Sequence, residues 1–78
     1  MVLVKEVSDE DVQHLVEECK NKGGVPVIIT RYAGFPIRHE GRPAVVFCCY
    51  GIGDPKGVLL VGISKKLWKK FDKSIVER

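Results

Sequence analysis

The strongest constraint on the fold is a pair of apolar β-type segments joined by a short, turn-rich loop. Residues 44–50 read Ala-Val-Val-Phe-Cys-Cys-Tyr, and residues 57–63 read Gly-Val-Leu-Leu-Val-Gly-Ile. Between them, Asp54, Pro55 and Gly57 match positions of a type I turn, so an antiparallel hairpin is predicted. Both faces of each segment are apolar, whereas a sheet with one solvated face alternates apolar and polar residues. Both faces of this hairpin therefore need cover.

Two amphipathic helices are predicted to supply cover. Ser8 is expected to cap a helix over residues 9–22, because Asp11 completes an acidic capping box and the apolar residues that follow recur at helical spacing. Ser64 is expected to begin a second helix over residues 65–76. Its apolar face is predicted to consist of Leu67, Trp68, Phe71 and Ile75.

Shorter β segments complete the predicted fold. Residues 2–6, 25–32 and 35–39 are rich in β-forming side chains, and Glu40-Gly41 indicates a turn. The element order β-α-β-(β)-β-β-α predicts the α+β class, with a mostly antiparallel sheet of three to five strands and two helices. With 78 residues, the chain is expected to form a single small α+β domain over 1–78. Either both helices cover one sheet face, which leaves the other to a partner or a second copy, or one helix covers each face.

The cysteines and the hydropathy pattern narrow the class of protein further. No run of about 20 apolar residues is present, so we expect no membrane partner and a cytoplasmic location. The three cysteines, Cys19, Cys48 and Cys49, include no Cys-x-x-Cys pair. An odd count without that spacing argues against a disulfide framework and against a cysteine metal site. We therefore expect reduced, structural thiols, no metal and no cofactor.

Charge is segregated along the chain. The net charge is +3, with −3 in residues 1–24 and +4 in residues 65–78. Lysines in the first turn of the last helix lie where the helix dipole disfavours cations, and a phosphate suits such a position. The alternative is a solvated face that only keeps the protein soluble. The lysines of this face are Lys65, Lys66, Lys69, Lys70 and Lys73.

The middle of the chain interleaves basic and aromatic side chains, a mixture that can hold phosphates and stack on bases. Ordinary packing at a sheet edge, with solvated arginines, is the alternative. Adjacent His39 and Glu40 could form an acid–base pair, although no further group converges on them. The basic and aromatic residues of this segment are Arg31, Tyr32, Phe35, Arg38, His39 and Arg42.

The start of the last helix resembles a known RNA-binding family. Residues 62–69 read Gly-Ile-Ser-Lys-Lys-Leu-Trp-Lys, which is similar to the Gly-x-Ser-Lys-Lys-x-Ala-Lys run of the double-stranded RNA-binding domain. From the first helix onward, the predicted order α-β-β-β-α also resembles that family. The resemblance implies that Lys65, Lys66 and Lys69 contact phosphates across the major groove, and that His39 corresponds to a loop histidine that enters the minor groove. The tryptophan of the run stands where the family has a small alanine.

These patterns together predict a small, non-catalytic nucleic-acid-binding domain that contacts RNA or DNA phosphates through its basic last helix. A homodimeric protein-interaction or scaffold domain that uses an apolar sheet face is the alternative, and a homodimer is expected. A small enzyme centred on His39 and Glu40 is the third hypothesis, and we assign no catalytic residue. The predicted nucleic-acid-binding residues are Lys65, Lys66, Lys69, Lys70, Lys73, Arg38, His39 and Arg42.

Overall fold

The computed structural model of the chain describes residues 3–53 and 57–74, apart from the side chains of residues 73 and 74. Within this part of the chain, the elements follow one another as β1 (Leu3–Glu6), α1 (Asp9–Asn21), β2 (Val25–Ile29), β3 (Arg31–Tyr32), β4 (Phe35–Pro36), β5 (Arg38–His39), β6 (Arg42–Tyr50), β7 (Val58–Val61) and α2 (Lys65–Ser74).

The main sheet has the strand order β1-β7-β6-β2, and β5 pairs with one end of β6. The predicted α+β class and the antiparallel β6–β7 hairpin are confirmed. Strand β1 runs parallel to its neighbour β7, which the sequence did not predict. The predicted 54–57 turn and the end of the second helix beyond residue 74 lie outside the described residues.

The predicted strands 25–32 and 35–39 are each broken in two. Thr30 ends β2: its side chain is buried and its hydroxyl donates a hydrogen bond to Asp72 Oδ1 at 3.1 Å. Its backbone oxygen accepts a hydrogen bond from the Ile37 amide, at the open end of the pairing between residues 31–32 and 35–36. The chain therefore leaves the sheet after β2 and forms the separate two-stranded hairpin β3–β4.

The first helix begins as predicted. Ser8 accepts a hydrogen bond from the Asp11 amide, and the Asp11 carboxylate accepts one from the Ser8 amide, which completes a capping box. Hydrogen bonding to the Ser8 backbone is the largest cause that lowers the pKa of the Asp11 carboxyl group, and hydrogen bonding to the Ser8 side chain is the second. Lys22, the predicted last residue, is the C-cap of α1.

Both helices pack on the same face of the sheet, which decides between the two predicted arrangements. Positions alternate along a strand, and paired positions in adjacent strands share a face. Ile28 pairs with Phe47, and Val45 pairs with Leu60. These four residues form one buried cluster with residues from both helices: Val12, Cys19, Leu67 and Phe71.

The opposite face carries an apolar row that crosses the main sheet from edge to edge. Val4 pairs with Leu59, Leu59 with Val46, and Val46 with Ile29. Val4 is exposed, and the other three are half-buried. In the described part of the chain, the buried cluster that includes residues of both helices contains none of these four residues, which we call the apolar row.

A disulfide between Cys19 and Cys49 links the end of α1 to β6 across 5.9 Å between Cα atoms. The prediction of three reduced thiols is therefore wrong for these two cysteines, whereas Cys48 is free and buried as predicted. Cys48 cannot replace its neighbour because successive side chains point to opposite faces of a strand. Gly24 allows the close approach, since a Cβ at that position would lie 2.6 Å from the Cys49 Sγ.

Candidate nucleic-acid interface

A groove of about 230 Å³ separates α2 from the segment that runs through β3, β4 and β5. Four of its lining side chains are cationic, and none is acidic. We call it the cationic groove. Its lining residues are Arg31, Pro36, Ile37, Arg38, Pro43, Lys65, Trp68 and Lys69.

The helical side of the groove follows from spacing on α2. Lys65 precedes Trp68 by three residues and Lys69 by four, so the three side chains share one side of the helix. Trp68 is half-buried, and its indole nitrogen donates a hydrogen bond to the backbone oxygen of Ala44 at 3.0 Å. This bond ties the Trp68 side chain to the backbone of β6.

Arg31 links the β3–β4 hairpin to α2. Its Nε and Nη2 donate hydrogen bonds to the two carboxylate oxygens of Asp72, at 3.0 and 3.3 Å. Its guanidinium carbon lies 5.6 Å from the centroid of the Trp68 ring, within cation–π range. The hydrogen bond from Arg31, assisted by the one from Thr30, lowers the pKa of Asp72. Arg31 is thus fixed in place and partly neutralised, while Arg38 on the same wall donates to the Gly41 backbone oxygen at 3.4 Å.

The other half of the groove lining is apolar or aromatic: Pro36, Ile37, Pro43 and Trp68. Apolar side chains combined with a few placed polar or charged groups are typical of ligand sites. The lining therefore offers cationic contacts to an anionic group and apolar contacts to a flat ring.

The N-terminus of α2 already has an anionic partner. The Asp9 carboxylate accepts hydrogen bonds from the Ser64 amide at 2.9 Å and from the Ser64 hydroxyl at 2.7 Å. The same hydroxyl accepts a bond from the Leu67 amide. The predicted phosphate position at this helix end is therefore occupied by Asp9, and the cationic groove, on the side of α2, is the better candidate.

The structure brings together only part of the predicted set. Lys65 and Lys69 line the groove with Arg38, whereas Lys66 and Lys70 do not. The side chain of Lys73 lies outside the described part of the chain. Arg42 points elsewhere and pairs with Glu6 at 3.2 Å.

His39 and Glu40 do not form part of the groove lining. The His39 Nε2 lies 3.5 Å from a Glu40 carboxylate oxygen, and the glutamate side chain is 81% exposed. Glu40 lies on the turn between β5 and β6 with a positive φ of 53°. Within residues 3–53 and 57–74, no group of three or more histidine, cysteine or acidic side chains could hold a metal ion.

Arg31 and Trp68 are site residues that the predicted set omitted. The available sign was the tryptophan itself, which replaces the small alanine of the family that the run resembles. A large ring at the boundary between the lysines and the apolar face of α2 indicates a contact beyond the core. For Arg31, no local pattern distinguishes an arginine that lines a groove from a solvated one.

Comparison with known proteins leaves the family open: no family model, curated protein or solved structure matches this chain. The similarity to the double-stranded RNA-binding domain stays a likeness of one lysine run and of element order. Around the α1-β2-β6-β7-α2 core, the chain has the additional strand β1, the hairpin β3–β4 and β5. No helix in the described part of the chain is long and apolar enough to cross a membrane.

Proposed function

We propose that this chain binds nucleic acid through the cationic groove, without catalysis and without strong sequence preference. The observation that carries the proposal is the meeting of Lys65 and Lys69 on α2 with Arg31 and Arg38 on the opposite wall. These pairs are more than 25 residues apart in sequence, so the fold concentrates positive charge that the chain itself disperses. Basic side chains grouped on one face are the electrostatic footprint of a nucleic-acid-binding surface.

Contacts of this kind make the affinity depend on salt. Among residues 3–53 and 57–74, no carboxylate pairs with Arg38, Lys65 or Lys69, the other three cations of the groove. Each phosphate they neutralise releases condensed counterions. Three such contacts to a single strand predict a slope of about −2 in a plot of log affinity against log salt.

A binding titration with fluorescent oligonucleotides at low salt tests the proposal. The variant Lys65→Gln/Lys69→Gln is expected to weaken binding about tenfold or more and to flatten the salt dependence. The matched control is Lys5→Gln/Lys20→Gln, which removes the same charge from β1 and α1, away from the groove. The control is expected to retain most of the affinity.

The two variants separate a built site from nonspecific attraction. Equal losses in both would indicate that net charge alone determines binding. Absence of binding to any single- or double-stranded probe at low salt would overturn the proposal.

A second candidate function, homodimeric association, is favoured by the apolar row. This row crosses the whole main sheet on the face opposite the buried cluster to which the described residues of both helices contribute. Contiguous apolar surface on a protein usually marks an interaction site, and a two-fold dimer is the commonest way to bury it. The two candidates use different faces and are compatible.

A further inference from the structure

The hairpin β3–β4 displays an aromatic pair at its tip. Tyr32 and Phe35 are paired across the two strands and are 79% and 73% exposed. Ala33 and Gly34 form the tight turn between them, with φ values of 53° and 84°. Positive φ at both central residues is typical of the two-residue turns that match the twist of a hairpin.

Neither aromatic residue has a role in the core. The buried cluster and the residues packed against it include neither Tyr32 nor Phe35. Two large aromatic rings that are mostly exposed on a short, two-stranded ribbon contribute little to folding stability. Both rings are therefore available to contact a ligand with flat apolar surfaces.

The aromatic pair adjoins the cationic groove. Arg31 and Pro36, the pair next to Tyr32 and Phe35 in the ribbon, both line the groove. Because side chains alternate along a strand, the aromatic pair lies on the other face of the ribbon. A ligand that fills the groove and contacts the aromatic pair must therefore bend around the ribbon.

A duplex cannot satisfy this geometry. It presents phosphates and sugars at its surface and keeps its bases stacked inside, so the apolar lining residues of the groove and the aromatic pair would have no partner. Duplex DNA is also stiff over roughly 150 base pairs, far more than the width of one ribbon. A single strand has unpaired bases and bends within a few nucleotides.

We infer that the ligand of this surface is single-stranded nucleic acid, with one base on the Trp68 side of the groove and further bases stacked on Tyr32 and Phe35. The inference rests on the proposed nucleic-acid function and specifies its substrate. Sequence-tolerant stacking on aromatic side chains, combined with basic residues that follow the backbone, is a common mode of single-strand recognition. The groove, at about 230 Å³, is smaller than sites for drug-sized ligands, which begin near roughly 300 Å³, and suits a single ring system.

The test compares three probes of equal length at low salt: an oligothymidylate, the same strand annealed to its complement, and an abasic strand. Affinity for the oligothymidylate is expected to exceed that for the other two by about tenfold or more. The chain has one tryptophan, so quenching of its fluorescence reports whether a base enters the groove. The variant Tyr32→Ser/Phe35→Ser is expected to lower oligothymidylate affinity toward the abasic level.

Tyr50→Ser is the matched control, since Tyr50 is a partly exposed aromatic residue on β6, outside the groove lining. It is expected to leave affinity unchanged. Equal affinity for all three probes, with a loss in Lys65→Gln/Lys69→Gln, would overturn the single-strand inference and leave the nucleic-acid proposal standing. No binding to any probe would overturn both, as would binding only to phosphatidylserine vesicles through Tyr32 and Phe35.

Discussion

Gly24 gives room to the Cys19–Cys49 disulfide, which no local sequence pattern predicts. Cys19 and Cys49 are 30 residues apart, and nothing in the sequence between them marks a pair. The pairing depends on where α1 ends and on which positions of β6 face the helix. Without a side chain, Gly24 leaves room for both sulfurs, which would lie 2.6 and 3.0 Å from an added Cβ. The sequence predicted the helix and the strand, but not their distance.

Reduction of this disulfide is expected to destabilise the protein substantially. Closing a loop of 30 residues restricts the unfolded chain, and the stabilisation is about 3–4 kcal/mol by the chain-entropy relation. Urea unfolding with and without reductant should therefore give clearly different midpoints. The Cys19→Ser/Cys49→Ser variant is the control, because its midpoint should not respond to reductant. Identical wild-type midpoints under both conditions would contradict the expectation.

The cytoplasmic location stays a prediction, and the Cys19–Cys49 disulfide argues against it. Disulfides persist mainly in oxidising compartments and are rare in the cytosol. Alkylation of cell extracts followed by mass spectrometry is expected to find Cys19 and Cys49 protected and Cys48 slow to react because it is buried. Rapid labelling of Cys19 and Cys49 would show that the bridge does not form in the cell.

Asp72 is expected to make stability sensitive to acid. Hydrogen bonds from Arg31 and Thr30 lower its folded-state pKa below the ordinary value of 3.8. A carboxyl group of this kind stabilises the fold above its unfolded pKa, and that contribution is lost as the pH falls through the folded pKa. Stability should therefore decline below about pH 3.8. The stability of Asp72→Asn should fall less with decreasing pH than that of the wild type. Thermal unfolding of both proteins between pH 6 and pH 2 measures the difference.

A pH profile of Asp72→Asn that parallels the wild type would exclude this role for the residue. Asp11 contributes in the same direction, because its pKa is also lowered by its bonds to Ser8. Some acid sensitivity is therefore expected to remain in the Asp72→Asn variant.

At the scale of elements, the sequence-based predictions agree best with the structure where the contacts that determine an element are local. The capping box of α1 and the Glu40-Gly41 turn each depend on residues within four positions of one another, and both were predicted. The break at Thr30 was not predicted, and the contact that the Thr30 side chain makes there is with Asp72, 42 residues away. β-Rich composition predicts an extended chain but not the point at which it leaves the sheet.

The two helices are joined at their N-termini by Asp9. Because its carboxylate accepts two bonds from Ser64, Asp9→Ala is expected to cost about 1 kcal/mol of stability. Glu10→Ala removes the same charge from the same turn and is the matched control, with an expected change below about 0.5 kcal/mol. Urea unfolding of both variants makes the comparison. Equal effects would show that only the helix dipole matters.

At the scale of the molecule, the site could be predicted only in part. The sequence indicated basic side chains on α2 and in the middle segment, but a single sequence does not show that Lys65 and Arg38 line the same groove. That proximity requires both helices on one sheet face and the hairpin folded toward α2. The ion pair between Arg42 and Glu6 was not predicted either, because the parallel placement of β1 beside β7 was not predicted.

The apolar row gives the last expectation, which concerns assembly. A row of half-buried and exposed aliphatic side chains across four strands is expected to associate with the same row of a second copy, because this removes apolar surface from water. Sedimentation over a range of micromolar concentrations should reveal a reversible dimer.

The variant Val46→Thr/Leu59→Thr tests the row, because it keeps β-forming side chains near the centre of the row but adds hydroxyls. Burying a polar group without a partner costs roughly 1–3 kcal/mol, so the variant should shift the equilibrium toward monomer by about tenfold or more. Leu3→Thr is the control, because Leu3 is exposed on β1 but points to the other face of the sheet. A monomer at every concentration, or equal effects of both variants, would rule out dimerisation through this face.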